Sequence, residues 1–209
     1  MKMKTNEERL QDMLDFLGSL SHVKTEQIPG IDLYMDQVTT FMDEHLKDTR
    51  RHPDDKVLTK TMINNYAKNN LLPPPVKKKY SKDHMLLLIF IYYFKNLLSF
   101  NDIEELFRPI TARHFSEEPS EVSLEDIYNE VFTLEAAQMD SLTKDLKAKF
   151  EKAQGTFAQS DVSEENREYL RLFAFICELS FDVYLKKQMI EMIADQLRGE
   201  NPETGRRKK

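Results

Sequence analysis

The stretch Leu58-Thr59-Lys60-Thr61-Met62-Ile63-Asn64-Asn65-Tyr66-Ala67-Lys68-Asn69-Asn70-Leu71-Leu72-Pro73-Pro74-Pro75 decides how this chain is read. Thr59 is a good N-cap, because its hydroxyl accepts from an otherwise unpaired N–H of a first helical turn. Three prolines end the helix, since proline lacks the donor and restricts its predecessor. The spacing therefore predicts a helix from Thr59 to about Asn70. Met62, Ile63, Tyr66 and Ala67 share one side and can pack inward. Lys60, Asn64 and Lys68 recur at i, i+4 and i+8 on the other side, flanked by Thr61 and Asn65. No acid occupies that side, whereas solvated helix faces commonly mix Glu with Lys. Asn bonds adenine bidentately and Thr meets a base or a phosphate, so the face suits a groove of double-stranded DNA. An ordinary surface helix is the competing reading.

Outward from this helix, the prolines deliver Lys77-Lys78-Lys79 and Tyr80 on a stiffened, extended arm. Such an arm of cations can grip the DNA backbone beside a groove. A flexible basic linker more usually carries Gly or Ser. From Arg50 to Lys82 nine Lys/Arg stand against Asp54 and Asp55, although the whole chain has a net charge of −6. From Ser116 to Glu200 the balance reverses, with 19 acids against nine bases. A basic block on an acidic chain fits a local phosphate-binding footprint, and it equally fits a solvated connection between helices.

Met62-Ile63-Asn64-Asn65-Tyr66, Leu71-Leu72-Pro73-Pro74, Lys79-Tyr80-Ser81, Ile91, and Ser99-Phe100-Asn101-Asp102-Ile103-Glu104-Glu105-Leu106 carry a resemblance. Their order and spacing resemble the DNA-binding domain of the MerR family over roughly Leu58 to Phe107. The chain is also similar to a group of bacterial proteins catalogued as a domain of unknown function. The MerR resemblance implies a winged helix-turn-helix over residues 31–108 and a sequence-specific bacterial transcription regulator that binds as a homodimer. It places Thr59, Lys60, Thr61, Asn64, Asn65 and Lys68 in the major groove, and Lys77, Lys78, Lys79 and Tyr80 in the wing. Asn64 replaces the family's recognition-helix arginine, which removes a phosphate or guanine contact. Asn70 replaces its turn glycine, and Asn is the residue other than Gly that best tolerates a left-handed conformation.

The rest of the chain reads as helices. Few glycines and few alternating Val-rich runs give an all-α, mainly helical fold class, and 13 Phe with 10 Met can fill a core. An N-terminal segment, residues 1–30, carries a helix over residues 5–18 that Gly18 ends, with a turn at Pro29-Gly30. Asp32 opens a second helix carrying Tyr34, Val38, Phe41, Met42 and Leu46. Ser81 caps a fourth, whose run from Met85 to Phe94 is too short to span a bilayer and reads as a buried core helix. Ser99 caps a short fifth helix, and Pro109 to Ser120 reads as a linker. A C-terminal helical domain follows over 120–200, its helices opened by Ser123 and Ser163 and ended by Gly155 and Gly199, with a disordered basic tail at 201–209.

Catalytic and metal chemistry find no support. The five histidines are scattered, Cys177 is alone, and no glycine-rich phosphate loop exists, so neither an enzyme, a cofactor nor a metal is expected. The single cysteine and the absence of a leader fit a reducing cytoplasm, with no membrane contact. Tyr169 to Leu185 is apolar on almost every face, which demands burial on all sides. It fits a bundle core, a dimer interface, or the wall of an effector pocket lined by Phe173, Phe175, Phe181, Tyr184 and Met189, for a small-molecule or protein effector. The alternative to a regulator is a protein–protein interaction module that keeps the fold without binding DNA.

Overall fold

The computed structural model describes residues 4–116 and 120–200, and among them it is mainly helical. The helices are α1 (Asn6–Ser19), α2 (Met35–Leu46), α3 (Lys60–Lys68), α4 (Lys82–Phe94), α5 (Phe100–His114), α6 (Leu124–Gln154) and α7 (Glu164–Glu200). Two short strands, β1 (Leu33–Tyr34) and β2 (Lys79–Tyr80), pair antiparallel with Leu33 opposite Tyr80 and Tyr34 opposite Lys79. The chain divides into two units. One holds residues 22–132 and the described residues from Lys187 onward; the other holds 133–186 and the described residues up to Ser21. No described helix is long and apolar enough to cross a membrane.

The first unit is organised around α4, in which all residues from His84 to Tyr92 are buried. Helices that are apolar all round require neighbours on every side, and this unit supplies them. Val38, Phe41, Met42 and Leu46 of α2, Ile63 and Tyr66 of α3, and Ile103 and Phe107 of α5 belong to the same core. Leu124, Tyr128 and Phe132 of α6 complete it, with the Phe90 ring 5.4 Å from Tyr128 and 5.9 Å from Phe132. Each large apolar side chain so enclosed contributes roughly 1.5–3 kcal/mol. The Tyr128 hydroxyl, itself buried, donates to the Val23 carbonyl at 2.6 Å. The end of α7 is held to α5 by Arg198, whose Nη2 donates to Asp102 at 2.9 Å.

In the second unit, Leu10, Met13, Leu14 and Leu17 of α1 pack on Leu146, Phe150, Ala153 and Phe175 of α6 and α7. Asn6 is buried and its amide donates to the Glu168 carbonyl and carboxylate at 3.0 and 2.9 Å. Lys149 on α6 bridges Asp145 and Asp182 at 2.5 and 2.6 Å, joining α6 to α7.

The serine caps form where the sequence places them. Ser99 accepts from Asp102 N, Ser123 from Asp126 N and Ser163 from Asn166 N. Four boundaries differ. Gly18 lies inside α1 and Gly199 inside α7, so neither ends its helix. Asp32 does not cap α2; Tyr34 occupies that position after β1 and is half exposed. The helix α5 runs through Pro109 to His114, so the expected linker begins later. Proline removes one helical hydrogen bond, but Ile103, Phe107 and Ile110 keep the same apolar stripe against the core across it. The tail at 201–209 lies outside the described residues.

Candidate nucleic-acid interface

Both ends of α3 are fixed by local chemistry. Thr59 accepts from the Met62 N–H at 3.2 Å, closing the N-terminus. At the other end Asn70 takes a φ of 57°, the left-handed conformation that turns the chain. Leu71 N then donates to Tyr66 O at 2.9 Å and Asn70 N to Ala67 O at 3.3 Å. These two bonds are the Schellman pattern, and Leu71 and Tyr66 supply its apolar contact, both buried. The faces fall as the spacing implies: Ile63 and Tyr66 are buried, Met62 and Ala67 are half-buried, and Lys60, Thr61, Asn64, Asn65 and Lys68 are exposed. Thr59 differs from its neighbours, because its hydroxyl oxygen is engaged in the cap.

The chain from Pro73 does not remain an extended arm. Val76 bridges Lys79 across a tight turn, with Lys79 N donating to Val76 O at 2.9 Å. Lys77 and Lys78 at its tip have φ of 50° and 65°. Positive φ at both central positions is the type I′ geometry that favours Asn and Gly, and for other L-residues each costs roughly 1–2 kcal/mol. Both lysines are exposed, and among the described residues no carboxylate pairs with them or with Lys68. Lys79 behaves differently: its ammonium lies 5.2 Å from the centre of the Tyr34 ring across the β1–β2 ladder. Tyr80 is 3% exposed and belongs to the core, so its ring is unavailable to a ligand. It packs edge-on against His84.

His84 anchors this region from below. Its Nδ1 accepts from the Ser81 N–H at 3.1 Å, which caps α4 and leaves the proton of the neutral ring on Nε2. Burial pushes the imidazole pKa down, with the Pro73 and Pro74 carbonyls opposing the shift.

One acid reaches the candidate face from outside α3. Asp36, near the start of α2, forms an ion pair with Lys60. Sequence periodicity confined to one helix has no means of finding it, and the same holds for Tyr34 beneath Lys79. The five expected effector-pocket residues do not come together. Phe175 is 1% exposed beside Phe150, while Phe173, Phe181, Tyr184 and Met189 are all more than half exposed, and Met189 falls in the other unit. Among the described residues, then, Tyr169 to Leu185 is not buried on all sides.

These features define a mainly helical protein with a capped polar helix, itself free of acids, followed in the chain by a two-lysine turn. A family model described as a domain of unknown function, DUF1836, matches residues 23–131, and the chain belongs to that family. No curated protein and no solved structure matches it.

Proposed function

We propose that the unit built on α4 is a winged helix-turn-helix of MerR type that reads double-stranded DNA as a bacterial transcription regulator. In this reading α2 and α3 are the helix-turn-helix, and the Val76–Lys79 turn is a minimal wing. The observation that carries it is the pair of lysines held at positive φ where Asn and Gly would be unstrained. Strain retained at exposed, unpaired cations supports a role outside folding. They follow in the chain a helix whose exposed side offers Lys, Asn and Thr, the groups that meet phosphates and base edges.

Selection of bound fragments from a random DNA library at near-physiological salt tests the proposal. Enrichment of a palindromic site is the expected result; binding without enrichment that vanishes as salt rises overturns sequence reading. Replacing Lys77 and Lys78 by Ala should weaken binding to every sequence and reduce the salt slope by about one unit per lost phosphate contact. Asn64→Ala should instead cost about 1–3 kcal/mol at particular base pairs.

The Lys60–Asp36 pair favours a second reading, a protein-interaction module of the same fold without DNA binding. The two readings separate on Asp36→Asn. A DNA-binding face gains affinity and salt dependence when the competing carboxylate is removed, and an interaction module shows neither.

A further inference from the structure

The segment Tyr169–Leu185 of α7 is built inside out. Its three charged residues, Arg171, Glu178 and Asp182, lie on the side of the buried Phe175, within about 60° of it at 100° per residue. Two of them are tied into their own unit: Asp182 accepts from Lys149 of α6, and Arg171 from α7 donates to Glu168 and to the Thr156 carbonyl. The remaining side carries Tyr169, Phe173, Ile176, Phe181, Val183, Tyr184 and Leu185, each 49–66% exposed, with no charge among them. A surface helix normally shows the reverse arrangement. Seven such side chains present on the order of 800 Å², above the largest apolar patch of a typical monomer and close to one partner's share of a standard interface.

We infer that a second copy of this chain covers this face, forming an isologous dimer seamed by the N-terminal half of α7. A charge-free patch faces its own copy across a two-fold axis without repulsion, which a patch of a single charge sign cannot do. It gives a charged partner nothing to pair with. A lipid surface is matched by unpaired Lys/Arg at the border, whereas Lys186 and Lys187, which follow the segment, are each paired, with Asp182 and Glu191. Four aromatic rings are the residue types that enrich the centre of protein interfaces. The inference does not rest on DNA binding, and its test contains no DNA, so the two fail separately.

Sedimentation velocity of the full chain, from about 0.1 to about 100 µM, reads the association directly. The wild type is expected to dimerise. Phe173→Glu/Tyr184→Glu should raise the dimer dissociation constant at least about 100-fold, because the seam would then bury unpaired charge. Its helical circular dichroism should be unchanged, as both side chains are half exposed in the single chain. Phe181→Ser is the milder variant that keeps the test open should the double variant misfold, and it too should weaken association. A wild type that is monomeric throughout, or a folded variant that associates as before, overturns the inference. So does a monomer that co-sediments with phosphatidylglycerol–phosphatidylcholine vesicles.

Discussion

The helix α4 and the Tyr169–Leu185 segment of α7 read alike in sequence and end in opposite surroundings. Both are apolar nearly all round. The chain wraps α4 in α2, α3, α5 and α6, whereas among the described residues only the Phe175 side of the α7 segment is covered. Apolarity states that a surface must be covered and is silent on what covers it. The few charges carry the missing information. Those of α4 sit at its ends, at Lys82, Asp83 and then Lys95, while those of the α7 segment gather on one side. A ring of apolar residues closed by terminal charges marks a central helix; a one-sided charge stripe turned inward marks a helix awaiting a partner.

The largest expected effect tests this contrast directly. Leu88 is fully buried, so Leu88→Ala should lower the unfolding free energy by about 2–5 kcal/mol in chemical denaturation. Phe181→Ala, measured at a dilution where the chain is monomeric, should stay within about 0.5 kcal/mol of wild type. Equal losses from both would erase the difference between the helices.

A smaller effect sharpens the buried side. Burial lowers the His84 pKa, so the unfolded chain binds more protons than the folded one as pH falls through the unperturbed value of about 6.5. The associated stability is fully present above that pH and is lost as pH falls. Denaturation curves of His84→Gln should show this slope flattened. Burial pushes the neighbouring Asp83 carboxyl up, which acts in the opposite sense nearer pH 4 and should survive the substitution.

The smallest effect concerns the turn. Lys77→Asn/Lys78→Gly supplies the residues that type I′ geometry favours and should raise stability by about 0.5–1 kcal/mol, less than the strain relieved, because glycine has more backbone freedom to lose on folding. In a DNA-binding chain the same change should cost affinity for every sequence, measured as a reduced salt slope. A variant that gains stability and keeps its salt slope would leave the strained lysines without the proposed role.

What was legible in the sequence was local. Thr59, Ser99 and Ser123 act through a hydroxyl three residues from its donor, and Asn70 through its own backbone, so each could be read from a few neighbours. The inward and outward faces of α3 followed from period alone. What escaped was set by distant chain. The pairing of Lys60 with Asp36, the seat of Lys79 on Tyr34, and the pairing of Tyr80 with Leu33 of β1 all depend on elements more than twenty residues away. Pro109 misled because its local penalty is real and the packing that overrides it is tertiary. The α7 segment misled because, among the described residues, nothing covers the side opposite Phe175.

The two caps of α3 have a thermodynamic consequence for whatever it binds. A nine-residue helix lies below the length at which isolated helices persist in water. Thr59 and the Asn70 turn, with Ile63 and Tyr66 locked in the core, hold its backbone in one conformation before any ligand arrives. A ligand on the exposed side therefore meets a preorganised surface. The entropy lost on binding reduces to that of the side chains it immobilises, about 0.5–1.5 kcal/mol for each flexible one. Lys60 and Lys68 carry most of it, while the short Asn64 and Asn65 lose little. The helix thus divides its face into cheaply fixed asparagines at the centre and costly lysines at the margins.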